Sequence, residues 1–425
     1  MKISKVVIKG YRALSEINLK TLNLNIIVGL NNTGKSSFLE AILVGLSSLD
    51  GFYDLLGNNT FSQILRHREP LVEYLINTEQ DKSYIELDLE DVVLNKKLVP
   101  RAKVLVEIAK TFKDLDLIKG IGSIPFSKLS RLLADNLFMS IRPRIHYKQD
   151  IPLIKLRYII YGYKAIDEEE NCSTIYISNI IKLPNIEKAS LGQVFGINLS
   201  KINIVSQAIT EHFNVGEPLS IDNVSKIKFK SKGFSPVLFI NEKSLYIERQ
   251  SILMDRIIKE GLKMKFLENV NKILRESGME TITDISYMKP TIYVSTEHKT
   301  KPLPLGYYGD GVRYVVSMVM ASTLVRDYKG VLVIEEPEIH MHPKLMEALI
   351  NYIVDLSNDV QIFVSTQSPD FLRYLSASLS DRQYKMISLH HFIKSSSNRI
   401  KVVSHYGKDA ISKLEYIAES LYTIA

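Results

Sequence analysis

A chain of 425 residues with 45% apolar and 24% charged side chains can bury one large core or two ordinary ones, a composition that excludes a disordered polymer. No apolar run reaches the length of a bilayer span, and Met1 to Lys5 leads into an alternating strand rather than a signal-peptide core, so a cytoplasmic protein with no membrane contact is expected. The single cysteine, Cys172, excludes an internal disulfide framework, a zinc hook and a CxxC ribbon, while the net charge of +7 permits nucleic-acid contact without requiring it.

The first informative element is an apolar strand, Leu24 to Val28, which runs into Gly29-Leu30-Asn31-Asn32-Thr33-Gly34-Lys35-Ser36 and then a helical stretch from Ser37 to Leu46. This is the setting of a phosphate-binding loop. Glycines let backbone N–H groups curl around phosphate oxygens, Lys35 reaches the β and γ phosphates, and the Ser36 hydroxyl can ligate Mg²⁺ at a positively polarised helix N-terminus. Gly29, Asn31, Asn32, Thr33, Gly34, Lys35, Ser36 and Ser37 are therefore the expected nucleotide contacts, with ATP and Mg²⁺ as cofactors and Ser36 on the metal.

Residues 51 to 284 say least. Alternations at Tyr84 to Leu89 and Ile154 to Tyr161 read as strands of a β lobe, and residues 252 to 276 have helical spacing with interspersed charges, as a lid or arm would. Sustained heptads are missing, which argues against a long coiled coil. Two basic alternations, Arg142, Arg144, His146, Lys148 and Lys226, Lys228, Lys230, Lys232, fall on one face if each segment is a strand. Each stripe either lies along a phosphate backbone or keeps a strand's solvent face unpaired.

Further on, Gly309-Asp310-Gly311 precedes a helical segment, Tyr314 to Asp327. Glycines entering a helix create a second anion site. Since Lys35 already serves the phosphates, the economical use of this one is on nucleotide held by another subunit; the plainer reading is an N-cap by Asp310. Val331 to Ile334 then runs into Glu335-Glu336-Pro337-Glu338, the pattern of a buried parallel strand with acids at its carboxyl edge, where α/β sheets bind ligands. Glu335 is assigned to Mg²⁺ through water and Glu336 to the general base that polarises the attacking water. Glu338, His340 and His342 also alternate in a way that fits metal ligation. The next strand, Val360 to Ser365, places Gln367 at its tip as a γ-phosphate sensor, and two closing strands, Met386 to Ile393 and Arg399 to His405, lead to a final helix, Ala410 to Thr423.

In this order the phosphate loop, GDGVR (Gly309 to Arg313), EEPEIHMHP (Glu335 to Pro343) and STQSP (Ser365 to Pro369), with Tyr11-Arg12 and Asn25 to Val28 ahead of the loop, resemble the ABC-type ATPase heads of the OLD (overcoming lysogenisation defect) and RecF-like group. The resemblance covers about residues 1 to 50 and 285 to 425. It implies an α/β P-loop NTPase with an antiparallel β lobe and an inserted helical lid or arm, the head built from 1–180 and 285–425 and the arm from 181–284. It also implies a homodimer closed around two nucleotides, with Gly309, Asp310 and Gly311 on the partner's ATP, Ile339 to Pro343 facing the dimer, and Arg12 approaching the nucleotide. DNA, or a nuclease or effector subunit supplied in trans, would receive the motion, in DNA repair or antiphage defence.

Departures from the pattern carry expectations too. Gln367 stands where the group commonly has His, and an amide neither titrates nor carries charge, so hydrolysis is slower or gated differently. After Leu372 only 53 residues follow, without a DxD pair, so no Toprim nuclease domain is expected. The alternative to a turning-over ATPase is a poorly hydrolysing, nucleotide-gated scaffold that clamps DNA or sequesters an effector. A transporter ATPase is disfavoured because the signature lacks the LSGGQ form. Gln63 is a candidate for the glutamine that reaches Mg²⁺ in such heads.

Overall fold

The computed structural model describes residues 1–48, 54–58, 60, 64, 75–80, 82–94, 97–109, 153–161, 172–177, 237–339, 341–395 and 399–424. Gln63, His340, both basic stripes and residues 181–236 of the expected arm lie outside them.

Among the described residues two six-stranded sheets carry the architecture. The first is an antiparallel lobe in the order β2 (Leu14–Lys20), β1 (Lys2–Tyr11), β4 (Lys82–Leu94), β5 (Lys97–Ala109), β6 (Leu153–Tyr161), β7 (Cys172–Ile177). Residues 84–89 and 154–161, read as strands, fall in β4 and β6. A bulge between Ile3 and Lys5 resets the side-chain parity, so that Ile3 and Val6, three residues apart, are both buried.

The second sheet has the order β15 (Ile400–Tyr406), β14 (Ile387–Lys394), β3 (Leu24–Val28), β13 (Gln361–Thr366), β12 (Val331–Glu335), β8 (Val237–Ile240), parallel throughout except for edge strand β15. Its inner strands are apolar on both faces, as a doubly covered parallel sheet requires. Alternate residues divide between two cores. Ile27, Val333 and Phe363 pack with Phe38 and Ile42 of α1 (Lys35–Ser47) beneath the lobe. Ile26, Ile334 and Val364 pack on the opposite face, where α4 (Asp310–Asp327), α5 (Pro343–Leu356) and α6 (Pro369–Ser378) lie. Helix α7 (Lys408–Ile424) closes the chain. No helix among the described residues is long and apolar enough to cross a membrane.

The described part of the expected arm joins the head instead of leaving it. β8 forms the sheet edge beside β12, and α2 (Ile247–Lys259) and α3 (Lys263–Glu276) bury Leu253, Ile257, Phe266 and Val270 in the core shared with α4 and α5. The continuous helical spacing over 252–276 is broken at Gly261, whose φ of 69° is left-handed. Gly261 N donates to Ile258 O at 3.1 Å and Leu262 N to Ile257 O at 2.9 Å, the paired bonds that end a helix and turn the chain. A small sheet, β11 (Leu303–Pro304), β10 (Thr291–Thr296), β9 (Ile282–Met288), leads into α4.

Candidate nucleotide site

Because β3, β13, β12 and β8 are parallel and in register, Val28, Thr366, Glu335 and Ile240 end at one edge, and the loops that follow them meet there. The loop after β3 is held by close backbone approach. A Cβ on Gly29 would lie 2.4 Å from Phe392 O, and one on Gly34 would lie 2.7 Å from Leu14 Cδ2 and 2.8 Å from Ile400 Cδ1. Gly34 also has φ 88°, and Asn32, a residue that tolerates the left-handed region, has φ 60°. Thr33 Oγ1 donates to Leu30 O at 2.8 Å and ties the loop to itself.

Gly34 is the N-cap of α1 and brings no side-chain oxygen to it. The N–H groups of Lys35, Ser36 and Ser37 thus stand in the first turn, at the positive end of the helix, as donors for phosphate oxygens. Lys35 Nζ donates to Gly29 O at 2.8 Å and Leu30 O at 2.9 Å, folded over its own loop and 6% exposed. Burial pulls its pKa down, against the pull of Glu336, Glu338 and Glu335. These acids lie within electrostatic reach of Lys35, which joins the two expected halves of the site.

Parity sorts the acids. Glu335 continues the Val331 and Val333 series, so it points to the α1 face, beside Ser365 in the neighbouring register position. Ser365 is 1% exposed and its Oγ has no partner, a hydroxyl on the phosphate side that sequence reading missed. Glu336 N donates to Ser365 O at 2.9 Å, and its φ of 46° turns the chain off the sheet, parting its carboxylate from that of Glu335. Burial raises the Glu336 pKa, opposed by Lys35 and reinforced by Glu335 and by Glu242, just past the tip of β8. A carboxylate moved upward in this way is a better proton acceptor from water.

Glu338 is bonded to the end of β13. Its Oε1 accepts from Thr366 Oγ1 at 2.6 Å and from Gln367 N at 3.2 Å, while Oε2 is enclosed without a partner. Its pKa is raised by burial, with those hydrogen bonds opposing. The carboxylate is thus engaged by the tip of β13. His342 instead caps α5, its Nδ1 accepting from Lys344 N at 3.3 Å. Among the described residues no three His, Cys, Asp or Glu side chains cluster as metal ligands. Gln367 leaves β13 beside this junction, and Ser368 caps α6 by accepting from Phe371 N at 3.2 Å.

Arg12, with φ 51°, is ion-paired to Glu40 of α1, both side chains largely buried. The structure therefore gives its guanidinium to the helix behind the loop. Gly309 is the N-cap of α4, again without a side-chain cap, and Asp310 pairs with Arg313 at 2.7 Å, which also donates to Leu245 O at 2.6 Å. A Cβ on Gly309 would meet nothing within 4 Å. No hydrogen bond or ion pair among the described residues joins Gly309, Asp310 or Gly311 to Lys35, Glu335 or Glu336.

A lysine-bearing loop opening a helix, with acids two strands away at the same sheet edge, defines a P-loop ATPase domain. The chain belongs to the AAA ATPase domain family AAA_15, whose model matches residues 1–372, and it is accordingly a nucleotide-binding ATPase domain. It is similar to endonuclease GajA of Bacillus cereus, 25% identical over 385 residues, covering 88% of this chain and 56% of that protein. It is also similar to the DNA replication and repair protein RecF of Halothermothrix orenii, 31% identical over 157 residues, 36% of this chain and 33% of that protein. The DNA double-strand break repair Rad50 ATPase of Thermococcus kodakarensis is 50% identical over 48 residues, 11% of this chain and 5% of that one. The alignments thus span at most about half the length of these relatives.

Proposed function

We propose that the chain is an Mg²⁺-dependent ATPase head of the OLD and RecF-like kind. It closes as a homodimer around two ATP molecules and passes the closing motion to DNA or to an effector supplied in trans. The observation that carries this reading is the convergence of Lys35, Glu335 and Glu336 on one sheet edge, within electrostatic reach of one another. Lys35 exchanges the carbonyls of Gly29 and Leu30 for the β and γ phosphates, and the first-turn N–H groups of α1 hold the phosphate oxygens. Hard oxygens suit Mg²⁺, and the hydroxyl of Ser36 with the carboxylate of Glu335, through water, would hold it; orphaned Ser365 Oγ adds an oxygen on the same face. When bound, the ion neutralises charge on the β and γ phosphate oxygens. Glu336 accepts the proton of the attacking water, and Gln367 stands at the γ phosphate.

The second helix N-terminus, at Gly309, Asp310 and Gly311, supplies donors to the partner's nucleotide in this reading. The names of the relatives, an endonuclease and two DNA repair proteins, are what direct the output toward DNA. Gln367 favours a slow cycle in which the ATP-bound clamp is long-lived, and in the limit a scaffold. Steady-state ATP turnover of the full chain with Mg²⁺, with and without duplex DNA, tests the reading. Stimulation by DNA is expected, and binding of ATP with no turnover in any condition would leave the scaffold.

A further inference from the structure

Three polar atoms near the acidic strand tip are buried without partners: Glu338 Oε2, Ser365 Oγ and the hydroxyl of Tyr314. Ser365 lies on the α1 face, whereas Glu338 is bonded to Thr366, whose strand neighbours Ile362 and Val364 belong to the opposite core together with Tyr314. Buried carboxylates are costly unless they are hydrogen-bonded, so a half-satisfied one beside a catalytic strand asks for a reason. Glu338 Oε1 gathers two donors from the end of β13, one of them the backbone N–H of Gln367 itself. Thr366 Oγ1 in turn accepts from Ser368 N at 3.0 Å, so the same junction also fixes the entry to α6. Tyr314 sits on α4 one turn beyond Gly309 to Gly311, 2% exposed, with Glu338 foremost among the charged groups that act on its hydroxyl.

We propose that Glu338 is the positioning residue of the switch: it holds the end of β13 so that Gln367 is set against Glu335 and Glu336. The proposal deepens the ATPase reading and rests on it for the role of Gln367. Glu338 touches neither nucleotide nor water in it; the residue acts through the backbone of Gln367.

The test uses the full chain with Glu338→Leu, Glu338→Gln and Thr366→Val. Turnover, affinity for a fluorescent ATP analogue and hydrogen exchange at the Gln367 amide are read for each. Loss of hydrogen bonds to a charged acceptor predicts a fall in kcat of roughly tenfold or more for Glu338→Leu, with nucleotide affinity held within about threefold. Exchange at Gln367 quickens in that variant. Glu338→Gln keeps a carbonyl oxygen for both donors and restores protection and most of the turnover, while Thr366→Val falls between. Unchanged exchange in Glu338→Leu, equal damage by Leu and Gln, or a loss of affinity matching the loss of turnover would overturn the proposal. If the parent itself shows no turnover, exchange at Gln367 still decides the proposal, and the missing turnover counts against the ATPase reading alone.

Discussion

Two helices of this molecule begin after glycines with no side-chain cap, and they differ in what surrounds them. At the start of α1 the glycine is wedged between Leu14 and Ile400, and a buried lysine folds back on the loop; at the start of α4 the glycine faces open space and its acidic neighbour is exposed. Both ends offer N–H donors and a positive dipole. The glycine of the first is packed against its own chain, whereas the glycine of the second has open space beside it. Uncapped helix ends of one chemical kind thus differ in packing, and the dimer proposed above gives them different roles: one builds a site, the other would complete a site on a second molecule.

The largest effects should come from the framed end. Lys35→Ala is expected to abolish measurable ATP binding and turnover, and Glu336→Gln to cut turnover about 10²- to 10⁴-fold while leaving binding intact; equilibrium binding beside steady-state kinetics separates the two. The glycines offer the sharpest contrast. Gly34→Val places a branched side chain at φ 88° and within 2.8 Å of two apolar neighbours, so chemical denaturation should show a loss of about 3 kcal/mol. Gly309→Val meets nothing, and its stability should stay within about 0.5 kcal/mol of the parent while ATP-dependent association is lost. Equal destabilisation at both positions would erase the distinction.

A pH effect of similar size follows from β14, the strand that closes on Gly29. His390 is buried between Ser388 Oγ at 3.0 Å and Ser404 Oγ at 2.9 Å, and burial lowers its pKa from 6.5 to about 4. The unfolded chain takes up a proton that the folded chain refuses as pH falls below 6.5, so stability declines through that window and the loss levels off below about 4. A shift of that size corresponds to roughly 3 kcal/mol. Denaturation midpoints between pH 7 and 4 should fall less steeply in His390→Asn than in the parent.

The phosphate loop and the acidic strand were legible because their signals are local: Gly34 and Lys35 announce a helix start, and Val331 to Ile334 a buried strand ending in acids. The parallel sheet they share follows from the same pattern. β8 was not legible, since Val237 to Ile240 is four residues long and acquires its meaning only by pairing with Val331 to Ile334. Ser365, Glu242 and the partners of Glu338 depend on strand order and parity, which link residues far apart in the chain. The ion pair between Arg12 and Glu40 is equally non-local, and nothing in the motif announces it. The spacing over 252–276 reads as helical throughout because periodicity does not register a stop, although Gly261 is its visible signal.

In the proposed dimer the open end at Gly309 completes a second molecule's nucleotide site. Light scattering of Glu336→Gln, with ATP and with ADP, tests it most directly. A doubling of mass is expected with ATP, none with ADP, and no doubling when Gly309→Val is added. An unchanged mass in Glu336→Gln saturated with ATP would contradict it.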